Sequence, residues 1–346
     1  MKIPNRCRIR FAVYLGLALL SASSVALAQY QLTNLVSNQA GEAKFDDPLS
    51  VNAWGLVHPP GGPFWVSDNN AGWSTLYNGV GVKQSLEVEI PSANGAGTGS
   101  PTGIVFNGSP DPTEFQVQGW ASIFLFVTLD GTISGWAPQV DFNNAIIAVD
   151  NSKFGAVYTG LAITNKTTAN FLFVANNAHN KVDIYNDKFK LVKSFTDTTL
   201  PAGFAPFGIQ DINGQVYVAF ASASGAPGGF IDVFDEDGTH MRRLVEGGPL
   251  NQPWGFAVAP ENFGPLSNTL LISNNTNSGT INGFDIATGD FVGTIRDTNG
   301  KVILIDQLWG LEFGDGTGNN GGKNQLFFTA GPHNNLAGTF GRIMFK

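Results

Sequence analysis

One short unit recurs six times along this 346-residue chain: a small, apolar or aromatic residue, then glycine, then an apolar strand. The copies are Trp54-Gly55-Leu56-Val57, Thr102-Gly103-Ile104-Val105, Thr159-Gly160-Leu161-Ala162, Phe207-Gly208-Ile209, Trp254-Gly255-Phe256-Ala257 and Trp309-Gly310-Leu311-Glu312. Their glycines are spaced 48, 57, 48, 47 and 55 residues apart. After each comes a strand apolar at nearly every position, such as Phe124 to Thr128 or Phe171 to Ala175. A third, alternating strand follows, such as Thr132 to Trp136 or Lys181 to Tyr185. Most units add a polar fourth, such as Leu191 to Phe195. Four strands at this period are the signature of a β-propeller.

The physics of a propeller explains each strand type. Innermost strands converge on a central channel, and glycine permits close approach of their backbones. Second strands lie between neighbouring blades and read as unbroken apolar runs. The outermost are wet. The last unit stops after its third strand at Lys346, while Tyr30 to Val36 is a spare strand ahead of the first unit. The expected fold is therefore all-β: a six-bladed propeller of four-stranded blades, its ring closed by the N-terminal strand. A parallel β-helix would need far shorter coils, and seven blades would need another copy of the unit.

Residues 1–28 read as a signal peptide. Lys2, Arg6, Arg8 and Arg10 precede the apolar run Phe11 to Leu20, and Ala26-Leu27-Ala28 is an A-x-A cleavage site. Residues 29–346 then form a single propeller domain, exported to the periplasm or beyond. The one cysteine, Cys7, is lost with the peptide, so the mature chain is held by its core rather than by disulfides. Of 19 Lys and Arg, those four are removed, leaving 15 against 27 Asp and Glu, a balance of −12. Nucleic acid and anionic membrane are thereby disfavoured as partners, and a monomer is expected. The Gly-rich stretches Asn94 to Ser100 and Gly314 to Gly322 read as surface loops.

The run Val174-Ala175-Asn176-Asn177-Ala178-His179-Asn180-Lys181-Val182-Asp183-Ile184-Tyr185 resembles an NHL-type repeat. Four further segments, Asn52-Ala53-Trp54-Gly55-Leu56, Pro63 to Asn70, Leu200 to Phe207 and Phe327-Phe328-Thr329-Ala330-Gly331, resemble an uncharacterised family of secreted bacterial propellers. Some members of that family end in a PEP-type sorting signal. This chain ends at Arg342-Ile343-Met344-Phe345-Lys346, without one, which implies soluble release. The resemblance implies fold and compartment, and no activity.

Propellers tend to work on the face holding the start of each innermost strand and the loop between second and third strands. That face is expected to carry Asn52, Trp54, Asn69, Asn70, Asn176, Asn177, Trp254, Asn274, Asn275 and Trp309. Carboxamides and indoles suit neutral polyols and sugar rings. The competing reading gives the Asn residues to tight turns and the Trp residues to the core. His179 and His333 occupy equivalent loops of opposite blades and, with Asp68, are the candidates for catalysis or metal binding. His58, at the far end of the first innermost strand, and His240, in an outer turn, are expected to face other surfaces.

No zinc motif, nucleophile elbow or phosphate cradle is present. Gly314-Asp315-Gly316-Thr317-Gly318-Asn319-Asn320 has the oxygens of a calcium loop but not its terminal Glu. Lactonase propellers of the regucalcin and gluconolactonase type hold a divalent metal through Glu, Asn and Asp. The innermost strands start here with apolar, aromatic or amide residues instead. The expected function is a non-catalytic scaffold for a polar small molecule, a saccharide or a protein, without cofactor. The alternative is a lactonase-like hydrolase or lyase using the loop His and Asp residues, with Ca or Zn.

Overall fold

The computed structural model describes residues 1, 30–164 and 169–346, so residues 2–28 of the expected signal peptide, with Cys7, lie outside the described residues. Among those residues the chain forms six antiparallel blades. Their innermost strands are Ala53–Val57, Pro101–Phe106, Tyr158–Thr164, Phe204–Ile212, Pro253–Val258 and Leu308–Phe313, and each contains one glycine of the repeat. No helix among the described residues is long and apolar enough to cross a membrane.

Glycine is required because the inner strands touch. A Cβ on Gly208 would stand 1.9 Å from the Trp254 carbonyl oxygen of the next blade, and one on Gly55 would stand 2.2 Å from that of Thr102. The series closes on itself, since Gly310 of blade 6 faces the Trp54 carbonyl of blade 1.

Ring closure follows the expected route. The strand Tyr30–Ser37 pairs antiparallel with the C-terminal strand Thr339–Phe345, from Tyr30 opposite Phe345 to Ser37 opposite Thr339. It supplies the fourth strand of blade 6, and Phe45–Asp46 adds a short parallel partner beyond it. The buried Tyr30 hydroxyl donates to the Phe263 carbonyl, 2.7 Å away, which ties the closing strand to blade 5.

The core is divided among the contacts between blades. Phe64, Tyr77, Phe327 and Phe340 join blades 6 and 1, and Trp65, Phe124 and Trp136 join blades 1 and 2. Second strands are buried along nearly their whole length, as at Phe124–Thr128. The third strands differ from the expectation of a half-wet alternation: every residue of Thr132–Trp136 is buried. Flat blades stacked on both sides leave the third strand no wet face, so its polar residues form a buried polar layer. Exposure begins at the fourth strand, as at Leu191–Phe195.

Candidate functional site

In four blades the residue before the repeat glycine is aromatic (Trp54, Phe207, Trp254 and Trp309), and these large side chains meet where the inner strands converge. Trp54 stacks on Trp309 with ring centroids 3.6 Å apart and planes 16° from parallel. Trp254 meets both edge-on, at 6.2 and 5.9 Å, with Phe207 and Leu129 packed alongside. The indoles are 5%, 9% and 2% exposed for Trp54, Trp254 and Trp309, so they plug the channel at this level. Trp309 Nε1 donates to Asn52 Oδ1 and Trp254 Nε1 to the Thr159 carbonyl. They are core residues here rather than an open stacking platform.

The amides around the plug are committed to the protein as well. Asn69 Nδ2 donates to the Pro101 carbonyl, Asn177 Nδ2 to that of Pro206, and Asn275 Nδ2 to that of Leu308. Each bond runs from one blade to the innermost strand of the next. Asn52 donates to Asn69, Asn176 to Asp183, and Asn274 to the Pro249 carbonyl. Asn70, exposed, donates to the Asn335 carbonyl. Three residues before the glycine, Asn52, Gln252 and Gln307 all have φ near +50°, a left-handed bend that carboxamide residues tolerate.

His179 and His333 are exposed, His333 at φ +59° with its backbone N–H on Asp306. Asp68 is wholly buried inside blade 1. The only three-residue His, Cys, Asp or Glu group within metal-ligand reach among the described residues lies elsewhere, so His179, His333 and Asp68 are not gathered. Asp68 instead starts a chain through Thr75 Oγ1 and Tyr77 Oη to Asp47, which Lys83 neutralises. Tyr77 Oη donates to Asp47, and Thr75 Oγ1 holds its one hydrogen within reach of both Asp68 Oδ2 and Tyr77 Oη. Burial raises the Asp68 carboxyl well above its usual range, against the opposing bond from Thr75.

Beyond the plug the channel opens at the opposite end, in a cavity of about 290 Å3. Trp254 and apolar residues such as Ile104 and Leu161 line it, and its polar groups are His58, Gln210, Asp211 and Glu312. Burial pushes Glu312 up to about 7, the imidazole of His58 opposing, with Oε1 3.7 Å from His58 Nε2. Burial likewise pushes Asp211 up to about 6, and its Oδ2 has no hydrogen-bond partner among the described residues. Two carboxyls titrating near neutrality in one cavity can bind or exchange protons with a guest.

His58 is held by the loop that resembled a calcium site. Asn320 Oδ1 accepts from the Asp315 backbone N–H and from Thr317 Oγ1, which turns Asn320 Nδ2 toward His58 Nδ1 at 3.0 Å. Nδ1 must then accept, and the ring proton sits on Nε2, donating to the Phe313 carbonyl at 2.9 Å. A doubly protonated ring would turn its Nδ1–H to the Pro59 carbonyl, 3.1 Å away. Asp315 is occupied by the Gly61 N–H, so this loop braces blade 6 against blade 1.

The sequence reading overlooked this end of the channel, although a signal was there. Two residues past the repeat glycine the blades carry Val57, Val105, Ala162, Gln210, Ala257 and Glu312. Three past it they carry His58, Phe106, Ile163, Asp211, Val258 and Phe313. The polar residues are the departures from an apolar register.

Fold and site together define a six-bladed propeller with a channel blind at one end and acidic at the other. The chain belongs to a family of uncharacterised proteins represented in Acanthamoeba polyphaga mimivirus. One such protein is 30% identical over 306 residues, covering 83% of this chain and 79% of its own. Another is 29% identical over 339 residues, covering 92% and 81%. These relatives are viral. No family model matches the chain. Among solved structures it is similar to a gluconolactonase from Xanthomonas campestris, with TM-score 0.56 at 13% identity, over 94% of this chain and 93% of that one. It is also similar to a catalytically inactive virginiamycin B lyase from Staphylococcus aureus with quinupristin, with TM-score 0.51 at 14% identity, over 91% and 99%. At such identities the likeness shows the fold alone.

Proposed function

We propose that the protein is a ligand-binding propeller that takes a small polar molecule, hydroxyl-rich like a saccharide, into the end of the channel lined by His58, Gln210, Asp211 and Glu312. The observation that carries this reading is the asymmetry of the channel. Its indole end is filled and its amides are bonded within the protein, whereas the opposite end holds a cavity with a carboxylate oxygen, Asp211 Oδ2, that has no hydrogen-bond partner among the described residues. An acidic mature chain with a leader-like N-terminus supports an exported protein that avoids nucleic acid.

Calorimetry with a panel of neutral sugars, polyols and aldonolactones tests the reading. A binder should lose at least tenfold in affinity in Gln210→Ala and Asp211→Asn, and keep its affinity in His333→Ala. The reverse pattern would place the site at the indole face and overturn the proposal. A second reading, an acid–base hydrolase or lyase, is favoured by Glu312 holding its proton near neutrality beside His58. Turnover of a lactone or ester that is abolished in Glu312→Gln while binding persists would select it.

A further inference from the structure

A polar residue stands at one register position of the third strand in five blades. Its neighbour on the second strand identifies it: Thr75 opposite Val66, Ser134 opposite Phe126, Asp183 opposite Val174, Asp232 opposite Val218 and Asn282 opposite Ile272. Blades 3 and 4 both place an aspartate there, which allows a comparison within one molecule. Asp183 is saturated: Oδ1 meets Ser194 Oγ and Lys181 Nζ, and Oδ2 accepts from Asn176 Nδ2. Asp232, 0% exposed, accepts from Arg243 Nε on Oδ1 at 3.0 Å, while its Oδ2 receives no hydrogen bond among the described residues. An oxygen buried without a donor is energetically costly and attracts a cation or a proton.

What that oxygen faces is the imidazole of His240. Nε2 stands 3.9 Å from Asp232 Oδ2, too far for a hydrogen bond. Asp197 completes the group, and ligand atoms of Asp197, Asp232 and His240 all lie within 4.8 Å of one another. Asp197 is held by the backbone N–H and hydroxyl of Thr199 and by Arg243. The ring of His240 rests edge-on against Phe234, centroids 5.3 Å apart. Charge is unbalanced as well, since one guanidinium, Arg243, serves three carboxylates, Asp197, Asp232 and Glu246.

We propose that Asp197, Asp232 and His240 form a site for a divalent transition-metal ion of the Zn2+ type on the outer part of blade 4. Two carboxylates and an imidazole are a donor set for such ions. Metal–ligand bonds of about 2.0–2.2 Å in a tetrahedron set donor atoms roughly 3.4 Å apart, so His240 needs to close by about 0.5 Å on Asp232, and the widest pair of the group by at most about 1.4 Å. Its side chain is 42% exposed and free to do so, which also leaves the fourth position to water. Arg243 stays on the carboxylates as the partner that orients them. The site shares no residue with the channel.

Full-length protein stripped with chelator and titrated with ZnCl2 by calorimetry, and with Co2+ by visible absorption, tests the assignment. One equivalent should bind, with affinity reduced at least tenfold in His240→Ala and unchanged in His179→Ala and His333→Ala. Asp232→Asn should abolish the Co2+ spectrum; should that variant misfold, the His240→Ala comparison still decides. No binding by the wild type, or binding untouched by His240→Ala, overturns the proposal.

Discussion

Glu312→Gln should stabilise the protein, and only above a definite pH. The folded carboxyl titrates at about 7 against a usual 4.5, mainly because burial penalises its charge. Below pH 4.5 it is protonated in folded and unfolded chains alike, and its contribution is fully present. As pH rises toward 7 the unfolded chain ionises first, and the stability is lost across that window. At 1.36 kcal/mol per pH unit the loss is at most about 3 kcal/mol. The side chain is 28% exposed and within reach of water, so roughly 1–3 kcal/mol is expected. Glutamine has nearly the shape of the protonated acid and cannot ionise. Urea unfolding at half-unit steps from pH 4.5 to 8 should show no difference at the acid end and a variant more stable by that amount at pH 8, with equal m-values. Asp211, raised to about 6 by the same cause, gives a loss of the same sign beginning at lower pH, so Asp211→Asn should flatten the acid part of the curve. A Glu312→Gln difference independent of pH, or a variant less stable at pH 8, would refute the claim that a buried carboxyl is forced to ionise in this channel.

Three further outcomes follow from the packing. Gly208→Ala should cost about 3 kcal/mol or more, because its Cβ would stand 1.9 Å from a backbone oxygen; Gly160→Ala, whose nearest atom is at 3.0 Å, should cost clearly less in the same denaturation assay. Asn177→Ala removes the bond to Pro206 and should cost about 1–3 kcal/mol while leaving affinity for any channel ligand intact. Tyr30→Phe should lose about 1–2 kcal/mol through the bond to Phe263, and deletion of 30–37 should expose the Thr339–Phe345 edge and cause aggregation, visible by light scattering.

Backbone geometry was the part written locally in the chain. Six glycines at a regular period, each followed by a dry strand, dictate six converging inner strands, because only glycine tolerates a neighbouring carbonyl so near. The spare strand at Tyr30 and the missing one after Phe345 likewise dictate the closure. Side-chain roles were decided only when the ring closed. Asn69 and Trp309 read as ligand groups because amides and indoles bind sugars, yet their partners, Pro101 and Asn52, lie in other blades. His58 and Glu312 are 254 residues apart in sequence and face each other only because blade 6 abuts blade 1. Whether the channel is blocked at the tryptophans or open beyond them depends on side chains from several blades competing for one axis. That contest belongs to tertiary structure, since no single repeat contains the other five.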